Sequence, residues 1–134
     1  MPMDEHPFHR YYERPAMLLL LEPAVTTAKT LLDAGCGSGF YSAWAHARDL
    51  QVTAVDKELG DVEVPYTRIC ADLTKPFPLA DHAFDVIVCA LVLQQLPSLE
   101  VCLTEFKRVL AIKGELFISV PHPFETMSAE NSYF

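Results

Sequence analysis

Basic residues are scarce in this sequence, which has 10 Lys and Arg against 18 Asp and Glu and a net charge of −8. Because phosphate binding needs clustered Lys and Arg, and no basic run is present, nucleic acid is not expected as a partner. The apolar run at 17–21 is far too short to span a bilayer, and the acidic N-terminus does not resemble a signal peptide. We therefore expect no membrane association and a cytoplasmic location.

Cysteine is also sparse, and its four residues form no C-x-x-C pair and have no zinc-like spacing with histidine. All four lie within or beside apolar segments, which is typical of small buried side chains in a reduced compartment. No metal site is expected. The cysteines are Cys36, Cys70, Cys89 and Cys102.

Only five glycines occur, and three of them lie together in the segment LLDAGCGSG at 31–39. An apolar run followed by Asp33 and alternating glycines is typical of a buried strand that turns tightly beneath a ligand. The breaker-free stretch after it predicts a helix that begins near Ser38 or Gly39, with its free N–H groups facing that ligand. The pattern indicates a nucleotide-type binding site.

A second predicted strand, 51–55, is followed by Asp56, which lies seventeen residues beyond Gly39. A carboxylate at this position can accept hydrogen bonds from both ribose hydroxyls of an adenosine. The alternative is a turn residue at the end of a strand. Its pairing with the glycine segment favours the ribose interpretation.

Strands and helices alternate along the chain, so we expect one α/β domain over 1–134 with a doubly wound parallel sheet. A short helix at 16–22 should end at Pro23, and a later helix should begin with Ser98 as N-cap and close at 113–114. Its predicted buried stripe is Leu99, Cys102, Leu103, Phe106, Val109 and Leu110. The expected strands are 30–34, 51–55, 66–70, 84–89 and 115–120, with a helix at 39–47.

These segments, in this order, resemble the class I S-adenosylmethionine-dependent methyltransferases, especially the small-molecule branch of ubiquinone and menaquinone biosynthesis enzymes. The resemblance rests on LLDAGCGSG (31–39), VTAVD (52–56) and the segments 71–97 and 103–124. The segment 11–21 is similar to the cap that precedes the first strand, so 1–24 is expected to form an N-terminal cap. The resemblance implies the strand order 3-2-1-4-5.

The resemblance also implies a cofactor site for S-adenosylmethionine. Asp33 would orient the glycine loop and the amino group, and Asp56 would hold the ribose. Asp72 and Leu73 would meet the adenine, with Asp72 accepting from the exocyclic amine. The other expected cofactor contacts are Gly35, Cys36, Gly37, Gly39, Lys57, Ala90, Gln95 and Tyr12. For Gln95 and Tyr12, helix capping or packing of the cap is the alternative.

Two departures from the family are visible. Only nine residues separate Asp56 from Tyr66, whereas a crossover between parallel strands normally takes ten to twelve or more, so one crossover helix should be missing. The usual C-terminal hairpin is not expected either. Strand five would then be an apolar edge, which predicts a fragment of a longer enzyme or a homo-oligomer that covers it.

The predicted reaction is in-line methyl transfer to a small-molecule acceptor, promoted by positioning in a dry pocket. His122, between two prolines just past strand five, is the candidate general base, with a purely structural loop histidine as the alternative. His6 and His9 are weaker candidates. Two other functions stay open: a degenerate relative acting as a partner subunit, and a nicotinamide oxidoreductase, against which the glycine spacing and Asp72-Leu73 argue.

Overall fold

The computed structural model describes residues 12–121, which form a parallel sheet with helices on both faces. The helices are α1 (Arg14–Val25), α2 (Phe40–His46) and α3 (Glu100–Val109). The strands are β1 (Thr30–Ala34), β2 (Gln51–Asp56), β3 (Thr67–Cys70), β4 (Phe84–Ala90) and β5 (Leu110–Ser119). A short 3₁₀ turn covers Leu93–Gln95, which the sequence did not predict. No helix within 12–121 is long and apolar enough to cross a membrane.

The five strands lie in the order β3-β2-β1-β4-β5, and every neighbouring pair is parallel. This confirms the predicted doubly wound topology. Strand β1 lies at the centre, where Leu32 pairs with Thr53 on one side and Ile87 on the other. The carboxyl ends of β1, β2 and β4 therefore meet at one edge of the sheet, where ligands bind in such folds.

Each face of the sheet carries its own apolar core, because successive strand residues point to opposite sides. Leu32 and Ile87 are fully buried with Phe106 and Val109 of α3 on one face. Leu31 is fully buried on the other face, in the cluster that contains residues of α1 and α2. A strand buried on both faces explains the unbroken apolar runs in the sequence.

The prediction that Pro23 ends the first helix was wrong, since α1 continues to Val25. A proline within a helix removes one hydrogen bond to the carbonyl four residues earlier, here that of Leu19. Leu19 is exposed, so water can satisfy that carbonyl, while Val25 gains burial in the core. Packing of the last turn outweighs the local cost of the proline.

The predicted boundaries of α3 and β5 were also wrong. Leu99 rather than Ser98 is the N-cap, without a side-chain cap, and both Leu99 and Leu103 are exposed instead of buried. The helix ends at Val109, because Leu110 is already extended and pairs with Phe84. The register then shifts, so that Val86 pairs with Glu115, and the helix end expected at 113–114 lies instead in an irregular part of β5.

The connection between β2 and β3 contains no helix, as the nine-residue spacing predicted. Arg68 of β3 holds this loop by donating to the carbonyls of Gly60 and Val62, at 3.2 and 2.6 Å. An open groove beside it is lined by residues of β2 and of the loop, among them Val52 and Val64. One face of this end of the sheet is therefore thinly covered, and β5 is the opposite edge of the described sheet.

Candidate functional site

The glycine loop after β1 lies at the carboxyl edge of the sheet, and all three of its glycines have positive φ, at 75°, 53° and 92°. The N–H groups of Gly35 and Cys36 both donate to the carbonyl of Val55, at 2.7 and 3.0 Å. A Cβ on Gly35 would lie 2.5 Å from a methyl group of Val92, whereas one on Gly37 would meet nothing within 4 Å among residues 12–121 apart from its chain neighbours. Gly37 therefore faces open space that a ligand can occupy.

Asp56, at the end of β2, fixes this loop from the side. Its Oδ2 accepts from the N–H of Gly37 at 2.9 Å, and its Oδ1 accepts from the N–H of Glu58 at 3.1 Å. Each carboxylate oxygen has two lone pairs, so both can still accept from a ligand hydroxyl. Asp56 can thus hold the glycine loop and, at the same time, accept hydrogen bonds from the two hydroxyls of a diol.

The larger of two cavities at this edge has a volume of about 670 Å³. The structure brings seven of the predicted cofactor residues to its walls: Gly35, Gly37, Asp56, Lys57, Asp72, Leu73 and Gln95. Leu73 also belongs to the core and is only 6% exposed, so it forms part of the cavity floor.

Asp72 is the second carboxylate of the large cavity. Its Oδ1 accepts from both the N–H and the hydroxyl of Thr74, at 2.8 and 2.6 Å. These hydrogen bonds hold the pKa of Asp72 below its usual range, because they favour the charged form. Its Oδ2 has no protein partner within residues 12–121 and is available to a donor on a ligand.

The smaller cavity, of about 140 Å³, meets the larger one at Gly35 and Gly37. Its walls include the predicted residues Asp33, Gly35, Cys36, Gly37 and Ala90. They also include Ser38, near the predicted helix start, and four residues that the sequence did not indicate: Glu13, Arg14, Phe40 and Tyr41. The loop therefore separates two chambers of different size and chemistry.

Asp33 is almost fully buried, at 2% exposure, and accepts a hydrogen bond of 2.7 Å from the hydroxyl of Ser42. Burial raises its pKa to about 6, and the hydrogen bonds from Ser42 oppose that rise only in part. The neighbouring carboxylates of Asp56 and Glu13 add to it. Asp33 therefore changes its charge close to neutral pH.

Glu13, just before α1, is the other buried carboxylate of the small cavity, at 7% exposure. The hydroxyl of Tyr41 lies 2.6 Å from both of its oxygens, and the hydroxyl of Ser119 donates to its Oε2 at 3.0 Å. Burial and this carboxylate raise the pKa of Tyr41 well above its ordinary value. No sequence signal marks Glu13, because its partners lie 28 and 106 residues away.

The next residue, Arg14, carries the cation of the small cavity. Its guanidinium lies 4.0 Å from the ring centre of Phe40, a cation–π contact that directs it along the cavity wall. No carboxylate within residues 12–121 forms an ion pair with it. It is available to an anionic group.

Cys36 contributes a thiol rather than a thiolate. Burial, and then the charges of Asp33 and Asp56, raise its pKa to about 12, so it stays protonated and is a poor nucleophile. Cys89 and Cys102 are buried as predicted, but Cys70 is exposed, with its Sγ 3.0 Å from the carbonyl of Lys57. Cys70 lies on the edge strand β3, where alternate side chains face away from the core.

Two further predicted residues do not line either cavity, and the predicted base is not among the described residues. Tyr12 is 68% exposed and is not part of either cavity wall. Gly39 is the N-cap of α2, and a Cβ there would lie 2.9 Å from the hydroxyl of Tyr66. The candidate base His122 lies outside the described residues, as do His6 and His9.

A strained residue, Leu91, follows β4 where the large cavity begins, with a φ of 57° that is unfavourable for leucine. Its N–H is held by the carbonyl and the hydroxyl oxygen of Ser119, at 2.9 and 3.0 Å. Its carbonyl accepts from the side-chain amide of Gln94 at 2.7 Å. These bonds fix the turn that carries Val92 against the glycine loop.

Arg108 of α3 holds the irregular segment between β3 and β4, which carries Asp72. Its guanidinium donates to the carbonyls of Phe77 and Leu79 and to Asp81, at 2.7–3.0 Å. Glu105 bonds to the same guanidinium and accepts from the N–H of Phe77 at 2.6 Å. The wall of the large cavity is thus tied to the helix behind it.

The sequence of this chain is similar to a protein family and to curated proteins. A family model described as a methyltransferase domain matches residues 32–118. A malonyl-[acyl-carrier protein] O-methyltransferase of Serratia marcescens is 36% identical over 95 residues, covering 66% of this chain and 37% of that protein. The biotin biosynthesis bifunctional protein BioHC of Cellvibrio japonicus is 30% identical over 115 residues, covering 81% and 23%. The chain spans less than half the length of these curated relatives.

Solved structures share the fold. The PH0226 protein of Pyrococcus horikoshii has a TM-score of 0.75 at 22% identity, over 90% of this chain and 58% of that one. An S-adenosylmethionine-dependent methyltransferase of Mesorhizobium loti has a TM-score of 0.68 at 27% identity, over 83% and 54%. The matched region includes the glycine loop and the ends of the strands that build both cavities.

Proposed function

This chain belongs to the S-adenosylmethionine-dependent methyltransferase family, and on that basis we propose that it transfers the cofactor's methyl group to a small-molecule acceptor. The observation that carries the proposal is the pair of cavities that meet at Gly35 and Gly37. One offers the hydrogen-bond acceptors that a nucleoside needs, and the other offers charges of both signs, as an amino acid needs.

The residues of the large cavity fit an adenosine. Asp56 has free lone pairs for the ribose hydroxyls while it holds the N–H of Gly37. The Oδ2 of Asp72 can accept from an exocyclic amine, with Thr74 fixing the other oxygen. The missing Cβ of Gly37 leaves room for the ligand to cross from one cavity to the other.

The residues of the small cavity fit the amino acid end of the same cofactor. Arg14 supplies a cation for its carboxylate, and Asp33 supplies an anion for its ammonium. When bound, the cofactor supplies a methyl group on a good leaving group, so that transfer is an in-line displacement. The protein's contribution is to hold the glycine loop in one conformation and to keep the thiol of Cys36 protonated and unreactive beside it.

Membership of the family does not specify the methyl acceptor. The Serratia marcescens relative is a malonyl-[acyl-carrier protein] O-methyltransferase and the Cellvibrio japonicus relative is a biotin biosynthesis bifunctional protein, but this chain spans only 37% and 23% of their lengths. The relation to ubiquinone and menaquinone biosynthesis enzymes stays a prediction, as do the role of His122 as a general base and the cytoplasmic location.

Calorimetry with the full chain tests cofactor choice. We expect S-adenosylmethionine and S-adenosylhomocysteine to bind with one site each, and NAD not to bind. Incubation with a panel of carboxylic acid, phenol and amine acceptors should then release S-adenosylhomocysteine with at least one class. Binding of NAD in preference to S-adenosylhomocysteine would contradict the proposal.

A second candidate function is a cofactor-binding partner subunit without turnover, which the missing helix between β2 and β3 favours. Binding of S-adenosylhomocysteine with no product from any acceptor would support it.

The homo-oligomer predicted to form through the β5 edge has a separate test. Ile118 is 38% exposed on that strand, so Ile118→Lys should shift the mass measured by light scattering toward the monomer. A wild-type monomer at high concentration would contradict this.

A further inference from the structure

Two buried carboxylates, those of Glu13 and Asp33, line the small cavity. Glu13 is 7% exposed and Asp33 is 2% exposed, and the ion pairs within residues 12–121 involve neither of them. Their hydrogen-bond partners are the neutral hydroxyls of Tyr41, Ser119 and Ser42. Hydroxyls satisfy the oxygens' lone pairs but leave the negative charge in place.

Such an arrangement is costly unless a cation joins it. Burial of an ionised carboxylate is unfavourable, and two like charges in one small space raise the cost further. Each of the two carboxylates is therefore stabilised by a positively charged ligand group more than an exposed carboxylate would be. The cavity, at about 140 Å³, has room for a small group such as an ammonium with its neighbouring carbon atoms.

The position of Arg14 narrows the class of ligand. Its guanidinium lines the same cavity and stacks on Phe40 instead of pairing with Glu13 beside it. Two anions and one separate cation on the walls are complementary to a zwitterion, whose ammonium and carboxylate are joined by one carbon. A simple amine would leave the guanidinium without a partner.

We propose that Glu13 is a second ammonium-binding carboxylate, which acts with Asp33 on the amino acid end of the cofactor. The inference rests on the proposed function and extends it to a residue outside the glycine loop. Glu13 also accepts from Ser119 of β5 and from Tyr41 of α2, so the ammonium site is assembled by three elements that the sequence keeps far apart. The hydrogen bonds from Ser119 and Tyr41 therefore hold the Glu13 carboxylate in the position where it would bind the ammonium.

Three ligands separate the possible roles of Glu13. S-adenosylmethionine carries an ammonium and a sulfonium, S-adenosylhomocysteine carries only the ammonium, and methylthioadenosine carries neither. Calorimetry on wild type and Glu13→Gln should show about 10- to 100-fold weaker binding of the first two ligands, the range of one charge-assisted hydrogen bond. The affinity for methylthioadenosine should not change.

Two variants serve as controls. Glu22→Gln removes a carboxylate from helix α1, which follows Glu13; Glu22 is half exposed and paired with Arg48, and all three affinities should be unchanged. Glu13→Asp keeps the charge and should retain most of the preference for S-adenosylhomocysteine over methylthioadenosine, which tests the charge even if the glutamine variant fails to fold. Loss of that preference in Glu13→Asp, with circular dichroism unchanged, would count against the proposal.

Equal weakening of all three ligands by Glu13→Gln would overturn the inference in favour of a structural role. Weakening confined to S-adenosylmethionine would overturn it in favour of a sulfonium contact, and unchanged affinities would overturn it outright. In each of these cases the proposed function survives, since the wild type binds. A wild-type chain that binds none of the three ligands would instead overturn the proposed function, and the inference with it.

Discussion

The two cavities on either side of the glycine loop use carboxylates in opposite ways. In the large cavity Asp56 and Asp72 lie partly open to solvent and accept from backbone N–H groups. In the small cavity Asp33 and Glu13 are buried and accept from side-chain hydroxyls. The carboxylates of the large cavity can accept hydrogen bonds from neutral ligand hydroxyls. Those of the small cavity would be stabilised by a cation.

The pKa values express this difference physically. Hydrogen bonds from Thr74 favour the ionised form of Asp72 and lower its pKa, whereas burial disfavours the ionised form of Asp33 and raises its pKa to about 6. Aspartates at the ends of strands therefore do not all bind the same kind of ligand group. What it binds depends on whether backbone donors or apolar walls surround it.

The largest effect is expected at Gly37, because both cavities share it. Gly37→Val should abolish binding of S-adenosylhomocysteine, since a branched side chain is strained at a φ of 53° and would fill space that the described part of the chain leaves open. Gly60→Val is the matched control, as its Cβ also meets nothing within 4 Å but lies away from the cavities. Calorimetry that gives Gly37→Val the affinity of wild type would place the ligand elsewhere.

The next effect concerns the pH dependence of the small cavity. Asp33 has a folded-state pKa of about 6, above the value of 3.8 for an unperturbed aspartate. Its contribution to the free energy of unfolding is therefore fully present below about pH 4 and is lost as pH rises through about 6, amounting to about 3 kcal/mol.

Urea denaturation at pH 4 and pH 7 measures this contribution by comparing wild type with Asp33→Asn. All other groups are the same in the two proteins, so the difference between their free energies of unfolding reports on Asp33. Wild type should lose stability relative to the variant as pH rises. A difference that does not change with pH would show that burial of Asp33 is compensated.

A smaller effect is expected at Asp56. Asp56→Ala should weaken S-adenosylhomocysteine binding by ~1.5–3 kcal/mol, about 10- to 150-fold, because it removes charge-assisted hydrogen bonds to the ribose and the support of the Gly37 N–H. Asp56→Asn should be milder, since its amide keeps one acceptor oxygen. Equal affinities of wild type and Asp56→Ala in a titration would remove this residue from the site.

The smallest effect is expected at Asp72, which is partly open to solvent. Asp72→Asn should weaken binding less than Asp56→Ala, because the amide oxygen still accepts from an adenine amine. Replacing adenosine by inosine in the ligand removes the donor and should cancel the difference between Asp72→Asn and wild type. A loss as large as that of Asp56→Ala would reverse the order proposed for the two carboxylates.

The part of the site that lies on local patterns was predictable from the sequence. Asp33, the glycine segment and Asp56 lie at the ends of strands that apolar runs predict, and parallel strands bring such ends to one edge. Asp72 was expected there only because the chain resembles the methyltransferases. The limits of α1 and β5 were not predictable, because burial of Val25 outweighs Pro23 and pairing of Leu110 with Phe84 ends α3 early.

Glu13 shows the other limit of sequence reasoning. Its partners Tyr41 and Ser119 lie 28 and 106 residues away, and no residue near Glu13 in the chain indicates that its side chain is buried. A residue of this kind becomes visible only when helices α1 and α2 and the end of β5 are placed together. Both charges contributed from outside the glycine loop, those of Glu13 and Arg14, were therefore missed.

The guanidinium of Arg108 has a consequence for the kinetics of ligand binding. The segment that carries Asp72 has neither helix nor strand, yet the bonds of Arg108 to Phe77, Leu79 and Asp81 already restrict it. Ordering a free backbone costs about 1–2 kcal/mol per residue, and here that ordering precedes the ligand. The segment that carries Asp72 is therefore ordered before a nucleoside binds. The time course of nucleoside association should follow a single exponential, with no slower step in which the loop becomes ordered.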